Sequence, residues 1–129
     1  MLLTVCAHQR KPMLANAEVH EALVTASQHA NAWLLGRYVI MPDHLHLFCA
    51  PRDETHSIEH WITFWKRSFR RSLGAAAPRF QAHGFPHRLR QSESYADKWN
   101  YVRLNPVRAG LVTHSDDWPF QGELNELRW

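Results

Sequence analysis

The stretch WLLGRYVIMPDHLHLFCA (33–50) decides the fold. Residues 33–41 form a continuous apolar run, which predicts a buried strand. Pro42-Asp43 is a turn pair. Residues 44–50 alternate, so they predict a second strand returning antiparallel to the first. Side chains at i and i+2 of a strand share a face. His44 and His46 therefore project together, while Leu45 and Leu47 point the other way into a core.

Outward from this hairpin, LLTVCAH (2–8) has the apolar and β-branched character of a strand. Residues 16–30 place Val19, Leu23 and Ala26 at helical spacing behind a possible Asn16 cap. Residues 57–73 predict a strongly amphipathic helix. Its apolar face is Ile58, Trp61, Ile62, Trp65 and Phe69, with Lys66/Arg70 and Arg67/Arg71 as i,i+4 pairs on the other side. Residues 75–91 read as irregular, with room for one short strand. Residues 92–105 predict a further helix, capped by Ser92 or Ser94 and ended at Asn105-Pro106, because proline disfavours helix in the residue before it. The rest, Val107–Trp129, reads as short turns with a small element near Asp116–Phe120. The order β-α-β-β-α-(β)-α predicts an α+β domain. It is a ferredoxin-like antiparallel sheet with helices on one face, followed by a C-terminal helix that bears Tyr101.

The 129 residues fit a single domain, 1–129, able to bury a core without disulfides. No apolar run approaches a membrane span. MLLTVCAHQRK is too short and too quickly polar for a secretory signal, so a reducing cytoplasm is the expected compartment. Cys6 and Cys49 make neither a disulfide framework nor a four-ligand zinc site and read as inert core thiols. The net charge of +3 is unevenly placed. From His60 to Arg108 ten Lys/Arg face two acids, a net +8, and the remainder carries −5. Twelve of the fifteen cations are arginine, whose planar fork suits phosphate oxygens and guanine edges. A charge run alone more often marks a solvated face. Confinement to one aromatic-rich stretch favours a polyanionic partner.

Three features carry chemistry. His44-Leu45-His46 can share one divalent metal, against the alternative of two surface histidines. Tyr101 and Asn105 stand one helical turn apart, with Tyr101 roughly 120° from the Tyr95–Trp99–Val102 stripe, so Tyr101 is not the obvious core tyrosine. Taken alone, that spacing reads more readily as an exposed surface tyrosine. In NPVRAGLV (105–112), Pro106 and Gly110 fix a tight helix exit.

In combination, MPDHLHLF (41–48), SESYADKWNYVRLNPVRAGLV (92–112) and DWPFQGEL (117–124) resemble the REP-associated tyrosine transposases, of the HUH single-strand transposase family. The resemblance runs from about Leu3 to the C-terminus. It implies cleavage and rejoining of single-stranded or hairpin DNA through a 5′-phosphotyrosine. It places the metal ligands on His44, His46 and Asn105 and the nucleophile on Tyr101. It implies Mg²⁺ or Mn²⁺ as cofactor, no nucleotide cofactor and no membrane partner. Imidazole ligands favour Mn²⁺ over Mg²⁺, which prefers oxygen. Lys66, Arg67, Arg70, Arg71, Arg88, Arg90, Arg103 and Arg108 are the expected phosphate contacts. Relatives include dimers that exchange the tyrosine helix and monomers that act in cis, so monomer and homodimer both stay open.

Two departures accompany the resemblance. Pro86 in GFPHRLR (84–90) stands where relatives usually carry an acidic or polar residue. Relatives also carry a segment before the first strand that helps recognise the REP hairpin and its flanking tetranucleotide. Here Met1 falls almost at that strand, so either the start lies upstream or tetranucleotide discrimination is weakened. A non-cleaving hairpin DNA- or RNA-binding module is the competing class. An RRM-like reader needs exposed aromatics on adjacent strands. Phe48 shares the face of His44 and His46, but residues 2–8 supply no such aromatics.

Overall fold

The computed structural model describes residues 1–52, 55–82, 85–87 and 94–127, with residues 76 and 85–87 described by backbone alone. Five strands form one antiparallel sheet. They are β1 (Leu2–Cys6), β2 (Trp33–Ile40), β3 (His44–Pro51), β4 (Phe85–His87) and β5 (Gln121–Glu123). Their spatial order is β4-β1-β3-β2-β5. The first four strands, with α1 (Ala17–His29) and α2 (Ile58–Leu73), give the expected ferredoxin-like β-α-β-β-α-β arrangement. Strand β5 departs from expectation. QGE has no strand signal of its own, and it is held by pairing with Arg37–Val39 of β2.

The helices begin where capping chemistry places them. Asn16 accepts the Val19 N–H, Ser57 the His60 N–H and Ser94 the Asp97 N–H. Helix α2 buries Ile58, Trp61, Ile62, Trp65 and Phe69, the apolar face read from the sequence. Its Trp65 ring stacks on Phe69 at 5.3 Å, and its indole N–H donates to Ser27 of α1. Leu3, Val5, Leu45, Leu47 and Cys49 meet α1 and α2 from the sheet side. Cys6 and Cys49 are both free and buried, and burial pushes the Cys49 thiol up to about 12. Pro86 pairs with Leu3 on an edge strand, where a missing N–H disturbs no interior ladder.

The other face of the sheet is covered in part by the chain's last third. Leu2, Val39, Met41 and Phe48 pack with Val102, Trp118 and Leu127. The helix predicted over 92–105 is two elements, α3 (Tyr95–Val102) and α4 (Asn105–Arg108). Pro106 has no N–H to continue α3 and instead opens α4, while Arg103 and Leu104 keep right-handed helical torsions across the join. Phe48 is fully buried beneath Tyr95 and Trp99, at 5.0 and 6.1 Å between ring centroids. The aromatic that an RRM-like reading would use is therefore closed to a base.

Candidate metal and tyrosine site

His44 and His46 lie on the face of β3 opposite Leu45 and Leu47. Their ring centroids are 4.8 Å apart and their planes nearly perpendicular. The turn that launches them is tied down from both sides. The Ala7 N–H donates to the Asp43 carbonyl and the Leu14 N–H to the Pro42 carbonyl, each at 2.9 Å. The Met41 N–H closes the hairpin on the His44 carbonyl.

Each ring has one nitrogen already engaged. His44 Nδ1 is 2.7 Å from Asp43 Oδ1, and His46 Nδ1 is 3.1 Å from Thr4 Oγ1 on the neighbouring strand. An imidazole that donates through Nδ1 presents its Nε2 lone pair to a cation, and a carboxylate behind it raises its basicity. Asp43 is itself held by Arg10, whose Nε donates to Asp43 Oδ2 at 2.8 Å. Burial alone raises the Asp43 carboxyl. Hydrogen bonds from His44 and Arg10 outweigh that effect and hold it below its usual value. Gln9 and Arg10 both adopt positive φ, 57° and 53°, a conformation uncommon outside glycine. The strained turn sets the Arg10 guanidinium on the carboxylate. Burial, helped by the charges of His44, Arg10 and Arg108, pushes His46 down to about 4, so its ring is neutral near pH 7, as a ligand must be.

Tyr101 is 64% exposed, the opposite of the other two tyrosines. Tyr38 is buried, with its hydroxyl 2.7 Å from His20 Nε2. Tyr95 packs on Phe48, and its hydroxyl accepts the Arg37 N–H at 3.1 Å. Arg108 ties Tyr101 to Asn105. Its guanidinium lies 4.1 Å from the centroid of the Tyr101 ring and donates to both the Tyr101 carbonyl and Asn105 Oδ1. The positive charge of Arg108 also contributes to the lowered pKa of His46.

The other predicted phosphate contacts separate into groups. Arg67, Arg70 and Arg71 are exposed on α2, on the opposite side of the sheet from the histidines. Lys66 corrects the expectation. It is buried, and its ammonium donates to the Gln81 carbonyl at 2.8 Å, so it braces α2 against the following loop. Arg103 contacts Asn100 and Ser115, fastening α3 to the segment after α4. Arg88 and Arg90 lie outside the described residues.

Among the described residues no cluster of three or more His, Cys, Asp or Glu is placed to hold a metal. The donors available are the two imidazoles on this face and, on the expectation from sequence, the Asn105 carboxamide. Two imidazoles with a carboxylate behind one of them fit a divalent cation that keeps open positions for other ligands. The Asn105 oxygen is shared with Arg108.

No family model matches the chain. It is 30% identical to the REP-associated tyrosine transposase of Escherichia coli K12 over 94 residues, which is 70% of this chain and 51% of that protein. The chain is a homologue of the REP-associated tyrosine transposases. A Haemophilus influenzae protein named for the same family is 28% identical over 104 residues, 69% of this chain and 58% of that one. The chain thus spans little more than half the length of these two relatives. A solved structure of a REP-associated tyrosine transposase bound to a REP hairpin has the same fold. Its TM-score is 0.74 at 21% identity, over 93% of this chain and 73% of that one.

Seen as a homologue of these transposases, the chain carries supporting groups that sequence reading passed over. Asp43, Arg10 and Thr4 fix the two imidazoles. The carboxylate immediately before the H-x-H was a readable signal. Thr4 and Arg10 were not, because strand register and the left-handed turn bring them there. No helix among the described residues is long and apolar enough to cross a membrane.

Proposed function

We infer that the chain is a metal-assisted single-strand DNA endonuclease and strand transferase acting on hairpin DNA through Tyr101. The observation that carries the reading is the Arg108 link. One guanidinium stacks on the only exposed tyrosine among the described residues and bonds Asn105, the polar side chain one helical turn on. His44 and His46, with Asn105 as a third donor, are the residues that would hold Mg²⁺ or Mn²⁺. When bound, such an ion polarises a phosphate and offsets charge on its oxygens.

The remaining chemistry falls to side chains. The phenol of tyrosine has an ordinary pKa near 10, so it needs placement and neighbouring positive charge to attack at neutral pH. Arg108 fixes the Tyr101 ring and offers a guanidinium to the incoming phosphate. The Tyr101 oxygen bonds to phosphorus, its proton leaves to solvent, and the bond to the 3′ oxygen breaks. That oxygen takes up a proton and departs as a 3′-OH. The 5′-phosphotyrosine keeps the ester, so a second 3′-OH can reverse the step without ATP. Arg10 and Asp43 hold His44 in one tautomer throughout.

The experiment is denaturing electrophoresis of the protein with end-labelled hairpin DNA and Mn²⁺. A shifted band carrying the label from the 3′ side of the nick supports the reading. Label from the 5′ side contradicts the polarity. The same band in Tyr101→Phe contradicts the nucleophile.

A further inference from the structure

At the far end of β3, on the helix-covered side, the end of α1 and the first turns of α2 enclose an open cavity of about 580 Å³. His29, Arg52, His56, His60, Trp61 and Phe64 line most of it. Its frame is braced by hydrogen bonds to carbonyls. Trp61 Nε1 donates to Ala30, Trp33 Nε1 to His56 and the Arg52 N–H to Ala32. Phe64 is 43% exposed, and its ring stacks on His29 at 5.6 Å with 15° between planes. The pair thus presents an aromatic face at the edge of the cavity.

The composition of the wall narrows the ligand class. Imidazoles and a guanidinium among aromatic faces suit a flat, polar-edged ring next to negative charge. Three histidines do not make a metal centre here, since no group of three or more His, Cys, Asp or Glu among the described residues can hold one. The volume is that of a small-molecule pocket, ample for one base and its sugar. The cavity also continues into charge. His60, Phe64, Arg67 and Arg71 follow i, i+4, i+7, i+11 spacing and so share one ridge of α2. That helix holds a single acid, Glu59, against Lys66, Arg67, Arg70 and Arg71. A stacking surface leading into an arginine ridge is how sequence-tolerant single-strand sites are built.

We propose that this cavity binds an unpaired base of single-stranded DNA, stacked on the Phe64–His29 pair, with the strand continuing along Arg67 and Arg71. The proposal rests on the reading that DNA is the substrate. Arg52 follows His46 by six positions along and just past β3, roughly 20 Å of extended chain. The contact is therefore remote from the reacting phosphate and acts on affinity.

The test compares a hairpin carrying an unpaired oligothymidine flank with the same hairpin blunt-ended. Phe64→Leu keeps apolar volume but removes the aromatic face. It should bind the flanked hairpin about tenfold more weakly, bind the blunt hairpin like wild type, and form adduct normally at saturating DNA. Phe64→Trp should restore flanked binding. Arg52→Ala, at the exposed rim and outside both core clusters, should weaken flanked binding in the same direction. The proposal is overturned if Phe64→Leu binds both hairpins like wild type, or loses equally on both. If adduct forms and Phe64→Leu has no effect, the cavity proposal alone falls. If no adduct forms but the Phe64 effect persists, the nuclease reading alone falls.

Discussion

The two faces of the sheet are built from the same strands and do different work. Toward the helices, Leu3, Val5, Leu45 and Leu47 are fully buried in the larger apolar cluster. On the other face, Thr4, His44 and His46 alternate with those residues along the same backbones. Register makes the two inseparable, since shifting β3 by one residue would exchange leucines for histidines on each side. The hydrophobic face fixes the position of the chemistry, while on the other face Thr4, His44 and His46 stand apart from the smaller cluster of Leu2, Val39, Met41 and Phe48. Variants on the two faces should therefore fail in different ways.

The largest effect belongs to the helix face. Leu47→Ala should cost about 2–5 kcal/mol of stability, read as a lower urea midpoint. That is a large part of the margin of a domain this size. His44→Ala and His46→Ala should leave the midpoint nearly unchanged while abolishing Mn²⁺ binding measured by calorimetry. A large fall in midpoint for either histidine variant would break the contrast between the faces.

Smaller effects sharpen it. Asp43→Asn should weaken Mn²⁺ binding by about 10–100-fold, because His44 loses the carboxylate behind it. Arg10→Ala should shift it in the same direction by less. Unchanged metal affinity in both variants would reduce the Arg10–Asp43–His44 chain to a structural contact. On the helix face, Arg67→Ala with Arg71→Ala should flatten the salt dependence of hairpin affinity by about one to two units. An unchanged slope would remove α2 from the DNA surface.

The weakest effect concerns His20, whose half-buried ring lies against Tyr38 and Phe120. Burial lowers its pKa, so the unfolded chain binds the proton first and stability falls as pH drops below about 6.5. Between pH 7 and pH 5, His20→Gln should lose slightly less stability than wild type. An equal loss would show that His20 is protonated alike in both states.

The hairpin, both long helices and the site pair were legible because each rests on a local pattern. Period two placed His44 with His46, and the α2 stripe named Trp61, Trp65 and Phe69 as core. The free and packed tyrosines were also separable by helix phase, and Tyr95 and Tyr101 fall as that phase predicts. What stayed hidden depends on distant pairing. QGE is a strand only because β2 is beside it, and Arg10 reaches Asp43 only through a left-handed turn. Lys66 looked like one more exposed cation, yet the following loop brings a carbonyl to its ammonium. The break between α3 and α4 was anticipated at Pro106 but falls earlier, because proline can start the next turn as well as stop the last.

The central claim is that Tyr101, served by the face that carries His44 and His46, forms a covalent bond to DNA. Mass spectrometry of the peptide spanning Tyr101, after incubation with single-stranded hairpin DNA and Mn²⁺, tests it most directly. A nucleotide phosphate linked to Tyr101, lost with chelator, in His46→Ala and in Tyr101→Phe but kept in Tyr95→Phe, is the predicted result. An adduct on another residue, or one that forms equally well in chelator, would contradict the account.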